Sequence, residues 1–117
     1  MTVAAVSRCL DVLESLVGVA GGCELGDIAD RVDTPRSAVH RILATLMARG
    51  WVVQDEATQH YSLSLKLSTL AFRDLDVRLV TDVVQAILDE LARRTREYCR
   101  LGIVEGDTVA WVSRAQG

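Results

Sequence analysis

The sequence predicts a mainly α-helical fold with a small amount of β-structure. Apolar residues recur with a helical period of about 3.6 through most of the chain. Two pairs of short segments rich in β-branched and aromatic residues are each separated by a polar turn, which favours two hairpins. The single proline and several glycines mark where helices begin and end. Together these patterns predict three helices, a hairpin, two further helices and a second hairpin.

The first two predicted helices are short and are separated by glycines. Val3 to Val17 carries apolar residues at helical spacing through Val6, Leu10, Leu13 and Val17, which predicts the first helix. A glycine-rich break at residues 18–22 ends this helix. Leu25 to Val32 predicts a second helix, and Asp33 predicts a tight turn into the next one. A helix, a short turn and a further helix in this spacing indicate a helix-turn-helix.

The third helix is predicted from Thr34 to Gly50. Thr34 is a favourable N-cap, Pro35 suits the first helical position, and Gly50 supplies the stop. The apolar face predicted for this helix is Ala38, Val39, Ile42, Leu43 and Leu46. The opposite face is basic and contains no acid; it consists of Arg36, Ser37, His40, Arg41, Ala44 and Ala48. Such a face is typical of a helix that reads the major groove of DNA, although a solvated surface would look similar in isolation.

A hairpin predicted after this helix would complete a winged helix-turn-helix. Trp51 to Gln54 and His60 to Leu63 are the predicted strands, and they flank a polar turn. The winged domain is expected to span residues 1–64. The predicted DNA-binding residues are Thr34, Arg36, Ser37, His40 and Arg41 on the third helix, with Gln54, Thr58 and Gln59 on the wing.

The spacing of apolar residues in the second half of the chain predicts two helices and a hairpin. A linker helix is expected over residues 65–77. A second helix is expected from Leu79 to Arg96, with Val80, Val83, Val84, Ile87, Leu88 and Leu91 inward. Tyr98 to Val104 and Thr108 to Arg114 predict the hairpin.

Composition and charge narrow the possible function classes. Half of the residues are hydrophobic, yet no uncharged stretch reaches the roughly twenty residues that a bilayer crossing needs, and no signal peptide is recognisable. We therefore expect a soluble, cytoplasmic protein without a membrane partner. The three cysteines are widely spaced and predict neither a disulfide framework nor a metal site. No catalytic constellation or cofactor motif is recognisable, so we expect no enzyme.

Net charge is the observation that fits DNA binding least well. The whole chain carries a formal charge of −3, whereas DNA-binding domains are commonly basic. The segment Thr34 to Gly50, however, contains Arg36, Arg41 and Arg49 and no acidic residue. The local charge of the third helix therefore still favours DNA. A winged-helix module for protein interaction or dimerisation, without specific DNA binding, remains the alternative.

The segments TPRSAVHRILATLMARGWV and YSLSLKLSTLA resemble the DNA-binding domain of the isocitrate-lyase-regulator (IclR) family of bacterial transcription factors. The residues that match the family pattern are Ser37, His40, Arg41, Leu43, Leu46 and Gly50. Ser64 departs from it, standing where the family has a glycine after the wing. The segment VTDVVQAILDELARRTREYCRLGIVEGDTVAWVSR is similar to the opening helix and first two strands of the family's effector-binding domain.

The resemblance implies a ligand-responsive repressor or activator. Residues 78–117 would then be the truncated start of an α/β effector-binding domain, and a small-molecule effector would act only on the full-length protein. It further implies a homodimer or higher homo-oligomer that places two recognition helices in successive major grooves of a pseudo-palindromic operator. The apolar surfaces of the first helix and the linker helix are the expected dimer contacts.

Overall fold

A computed structural model describes residues 1–77 and 82–117. These residues form two compact units, 1–69 and 70–117. The elements are α1 (Ala4–Leu16), α2 (Leu25–Arg31), α3 (Arg36–Ala48), β1 (Val52–Gln54), β2 (Tyr61–Leu63), α4 (Lys66–Val77), α5 (Asp82–Thr95), β3 (Tyr98–Glu105) and β4 (Thr108–Gln116). The predicted fold class, mainly helical with two small hairpins, is confirmed.

The first unit is a winged helix-turn-helix built on one apolar core. Its buried residues are Val12, Leu16, Cys23, Ile28, Ala29, Val39, Leu43, Leu46, Val52 and Tyr61. Every element from α1 to β2 contributes to this list, so the three helices and the hairpin are fixed to one another by burial of apolar surface.

Only part of the apolar surface of α1 packs within unit 1. Val12 and Leu16 are buried, whereas Val6, Leu10 and Val17 are exposed. Apolar residues lie around more than one side of this helix, so periodicity alone did not identify the side that packs. The consequence is an apolar surface on α1 that unit 1 itself leaves uncovered.

The predicted N-terminus of α3 is wrong. Pro35 has an extended ψ of 143° and stands before the helix, not at its first position, and no side chain caps the helix. The Thr34 hydroxyl donates to the Val32 carbonyl at 3.1 Å and does not accept an N–H group of the α3 N-terminus. Because Pro35 is itself extended and occupies the N-cap position, Thr34 stands one residue too early to cap the helix. Asp33 makes the preceding turn with a φ of 49°, a left-handed conformation that Asp tolerates better than most residues.

The predicted stop at Gly50 is confirmed. Gly50 has a φ of 79°, the region that favours glycine. Its N–H donates to the Met47 carbonyl at 3.0 Å, and the Trp51 N–H donates to the Leu46 carbonyl at 2.8 Å. This pair of bonds is a Schellman motif, which reverses the chain at the end of α3 and directs it into β1.

The wing is a short antiparallel hairpin with an additional backbone contact. Val52 pairs with Leu63, and Gln54 pairs with Tyr61. Cys23 forms an isolated bridge to Tyr61, with N···O distances of 2.9 and 2.8 Å. Because Cys23 lies two residues before α2, this bridge ties the turn end of the wing hairpin to the helix-turn-helix.

The second unit packs α5 on the β3–β4 hairpin through Leu88, Ala92 and Ala115, with Val84, Cys99 and Leu101 around them. The predicted inward residues Val83, Ile87 and Leu91 are instead 70%, 64% and 48% exposed. A two-stranded hairpin is too narrow to cover the whole apolar face of α5, which explains the difference. The predicted helix start at Leu79 and the predicted inward residue Val80 lie outside the described residues.

The outer face of this hairpin carries a cation–π contact. The Arg100 guanidinium lies 3.8 Å from the centroid of the Trp111 ring. Gly102 pairs with Trp111 across the strands, and its missing Cβ leaves room for the indole.

Among the helices that the structure describes, none is both long and apolar enough to cross a membrane.

Candidate nucleic-acid interface

The outer face of α3 is the first component of the candidate site. Val39, Leu43 and Leu46 form the buried stripe of this helix, as predicted, while Ala38 and Ile42 are half-buried. At about 100° per residue, the opposite side carries Ser37, Arg41, Ala44 and Ala48, all of which are exposed. The two alanines have short side chains, so this side of α3 is shaped to lie close to the base edges of a DNA groove. Arg41 and Ser37 stand one turn apart on it and supply hydrogen-bond donors.

The N-terminus of α3 is the second component. The Pro35 carbonyl accepts the Ala38 N–H at 3.0 Å and the Val39 N–H at 3.1 Å. The first intrahelical bonds therefore begin at Ala38, and the N–H groups of Arg36 and Ser37 precede them. Both of these residues are exposed, and the positive end of the helix dipole lies at this terminus. This arrangement suits a phosphate oxygen.

Arg36 is held close to α2. A Cβ built on Gly26 would lie 2.9 Å from Nη2 of Arg36, so the absence of a side chain at Gly26 makes room for the guanidinium. Arg36 remains exposed to solvent and can still reach a neighbouring phosphate. Its position against α2 favours a backbone contact over base reading.

Two other predicted residues differ in accessibility. His40 is exposed and lies one helical turn after Arg36. Thr34, in contrast, is only 8% exposed. Its N–H donates to the Ala29 carbonyl and its hydroxyl donates to the Val32 carbonyl. Thr34 therefore shapes the turn between α2 and α3, and burial argues against a direct contact between its side chain and DNA.

The predicted wing residues mainly bond to one another and to the wing backbone. Gln54 Nε2 donates to the Gln59 carbonyl at 3.2 Å and to Gln59 Oε1 at 3.1 Å. Gln59 Nε2 donates to the Glu56 carbonyl, and Thr58 Oγ1 accepts the His60 N–H. These hydrogen bonds stabilise the conformation of the wing. To contact DNA, the side chains of Gln54, Thr58 and Gln59 would have to use the donors and acceptors that these bonds leave free.

Asp55 organises the wing turn. Its Oδ1 accepts the N–H groups of Ala57 at 2.8 Å and Thr58 at 2.9 Å. These two backbone bonds, that from Thr58 first, hold the pKa of the Asp55 carboxyl below its ordinary value of 3.8. With Glu56 beside it, the tip of the wing carries negative charge at neutral pH.

The depressed pKa predicts how the wing responds to acid. A carboxyl with a lowered folded pKa stabilises the fold above its unfolded value, and this contribution disappears as pH falls through the folded pKa. We expect the Ala57 and Thr58 amide resonances to follow the Asp55 titration below pH 3.8, and to lose that response in Asp55→Asn. An Asp55 carbon resonance that titrates at or above that pH would contradict the prediction.

Arg8 is a candidate residue that the sequence did not indicate. It lies on α1, yet it lines the same open groove as Arg41, whose volume is about 570 Å³. The other residues along the groove are Ala5, Val6, Cys9, Leu10, Ala38, Ile42 and Thr45. Only the packing of α1 against α3 brings the two arginines to one groove, so no local pattern could have paired them.

Comparison with known proteins identifies the domain. Residues 5–56 match the model of the IclR helix-turn-helix domain. The chain is 35% identical over 116 residues to the HTH-type transcriptional regulator BhcR of Paracoccus denitrificans, covering 96% of this chain and 40% of that protein. The curated relatives are longer, and the chain spans 36% to 45% of their length.

Solved structures agree in fold. The crystal structure of Pseudomonas aeruginosa HmgR is 32% identical with a TM-score of 0.72, covering 97% of this chain and 49% of that one. An IclR family transcriptional regulator from Brucella abortus has a TM-score of 0.79 at 22% identity, covering 99% of this chain and 44% of that one, and supports the fold alone. Residues 5–56 of this chain therefore belong to the IclR helix-turn-helix domain family.

Proposed function

We propose that the chain is the DNA-binding part of a transcriptional regulator and that α3 is its recognition helix. The observation that carries this proposal is the exposed, acid-free outer face of α3 within an IclR helix-turn-helix domain. Arg41 and Ser37 would contact base edges, while Arg36, Arg8 and the α3 N-terminus would contact phosphates. His40 would extend the contact along the groove. The relatives are named as transcriptional regulators, so we propose no enzymatic activity.

The proposed target is a pseudo-palindromic operator bound by a dimer. The response to a small-molecule effector would belong to the portion of such regulators that lies beyond the matched segment, because the chain spans less than half of its curated relatives. We therefore expect residues 1–117 to bind DNA without an effector. Chromosomal DNA as the target places the proposed activity in the cytoplasm.

Selection of duplexes from a random DNA pool tests this function directly. We expect the chain to enrich a two-fold-related sequence, and its affinity for that sequence to fall steeply with salt because bound phosphates release counterions. Absence of enrichment would contradict the proposal. A winged-helix module for protein interaction is the second candidate, favoured by the net charge of −3 and by the open apolar groove between α1 and α3. That module would show no salt-dependent, sequence-selective DNA binding.

The uncovered surface of α1 favours a homodimer. Val3, Val6 and Leu10 are 66%, 57% and 52% exposed, and Leu65 at the start of α4 is 80% exposed. A second copy of the chain that covers this surface would bury its apolar residues. Such a dimer would present two recognition helices to half-sites roughly 34 Å apart, or a multiple of that distance.

A charge placed on this surface should dissociate the proposed dimer. We expect Leu10→Glu to convert the dimer into a monomer in sedimentation experiments and to weaken binding to a two-fold site, because it would bury an unpaired carboxylate. Glu14→Gln, an exposed change on the same helix, serves as a control that should leave assembly unaltered. A strictly monomeric wild-type chain at high concentration, with and without DNA, would contradict the dimer.

A further inference from the structure

The chain that leaves α3 is fastened by the residues that begin α4. The Schellman motif uses the carbonyls of Leu46 and Met47 but not those of Arg49 and Gly50. Lys66 Nζ donates to the Arg49 carbonyl at 2.7 Å, and Ser64 Oγ donates to the Gly50 carbonyl at 2.6 Å. The next carbonyl, that of Trp51, accepts the Ser64 N–H at 2.9 Å. Three consecutive carbonyls are thus bonded to Ser64 and Lys66.

The same two residues also form the start of α4. The Ser64 hydroxyl that donates to Gly50 accepts the Lys66 N–H at 3.2 Å, at the first residue of α4. One hydroxyl therefore forms hydrogen bonds both to Gly50, just after the end of α3, and to the first residue of α4. Both residues, Ser64 and Lys66, are half-buried, and the bond between the Ser64 hydroxyl and the Lys66 N–H is partly buried, while the bonds to the Arg49 and Gly50 carbonyls are exposed.

Lys66 is additionally oriented by charge and by an aromatic ring. Its ammonium lies at the negative end of the α3 dipole and 5.3 Å from the centroid of the Trp51 ring. Trp51 is half-buried and packs against the core of the first unit. The Lys66 ammonium therefore lies between the last turn of α3 and the Trp51 ring.

We propose that Ser64 and Lys66 are positioning residues that fix the direction of the first turn of α4 relative to the recognition helix. This inference rests on the proposed function, because the direction matters only if α3 enters DNA. In a dimer, a fixed direction would set the separation of the two recognition helices and hence the half-site spacing that the protein accepts. Neither side chain would need to touch DNA.

Hydrogen exchange tests the fastening without any DNA. We expect Ser64→Ala and Lys66→Met each to speed exchange of the Gly50 and Trp51 amides by about fivefold, the effect of losing one hydrogen bond. Lys66→Arg should retain most of the protection because it keeps a cationic donor, and Ser68→Ala, an exposed change on α4, should have no effect. Unchanged exchange in both of the first two variants would overturn the proposal.

Binding to the selected duplex tests the positioning role. We expect Ser64→Ala and Lys66→Met to bind about fivefold more weakly, with an unchanged salt slope and with reduced discrimination against a duplex carrying one extra base pair between its half-sites. A slope that falls by about one in Lys66→Met, with equal loss at every spacing, would show a phosphate contact and overturn the positioning role. Wild-type affinity in both variants would also overturn it. Failure of the wild-type chain itself to select DNA would instead remove the proposed function, and the positioning role with it.

Discussion

Arg41→Ala is expected to weaken binding to the selected operator by about 1–3 kcal/mol, the range for a side chain that reads a base edge. Arg41 is exposed on the side of α3 opposite the buried Val39 and Leu43, so its removal should leave the core intact. The loss should also relax sequence preference at the base that Arg41 contacts. Fluorescence anisotropy against the selected duplex and its single-base variants measures both effects.

A charge-matched control separates contact from net charge. Arg94 is exposed on α5 and pairs with Glu90 at 2.9 Å, within the second unit. Arg94→Ala changes the charge of the chain as Arg41→Ala does, but it should leave operator affinity nearly unchanged. Equal losses in the two variants would indicate general electrostatic attraction and would remove Arg41 from the recognition surface.

Leu43→Ala is expected to destabilise the winged helix-turn-helix by about 2–5 kcal/mol, which is a large fraction of the stability of a small domain. Leu43 is 0% exposed and lies among the buried residues of the first unit. The substitution leaves a cavity beneath the recognition helix that neighbouring side chains can fill only partly. Urea denaturation in a Trp111→Phe background, where Trp51 is the remaining tryptophan, would measure the lost free energy of unfolding by fluorescence.

The matched control is a leucine that the fold leaves exposed. Leu91 is 48% exposed on α5, so Leu91→Ala should change the unfolding of the first unit by less than about 0.5 kcal/mol. A loss of less than about 1 kcal/mol in Leu43→Ala would show that this position does not carry the core, and would contradict the packing described for α3.

The third helix, α3, could be predicted well because its sequence contains several independent signals that agree. The apolar positions Val39, Leu43 and Leu46 repeat at helical spacing, and Gly50 provides the left-handed residue that a helix stop requires. Its basic outer side follows from the same geometry. The exposed positions of Ser37, Arg36, His40 and Arg41 were therefore accessible to sequence reasoning.

The parts that sequence reasoning missed depend on tertiary packing. The Thr34 hydroxyl had two available partners, the α3 N-terminus and the Val32 carbonyl, and the extended ψ of Pro35 decided between them. On α5, periodicity marked Ile87 as inward, but the hairpin beneath it is too narrow to cover that side. Arg8 joins the groove of Arg41 only because α1 packs across α3. None of these choices is encoded within a single helix or turn.

Chemical-shift mapping of the chain titrated with its selected duplex tests the central claim most directly. We expect the largest backbone amide changes on Ser37, Arg41 and Ala44, with smaller changes at Arg8 and at the wing tip. Residues of the β3–β4 hairpin should stay unaffected. Large changes on that hairpin or on α5, with the outer face of α3 unperturbed, would contradict the assignment of α3 as the recognition helix.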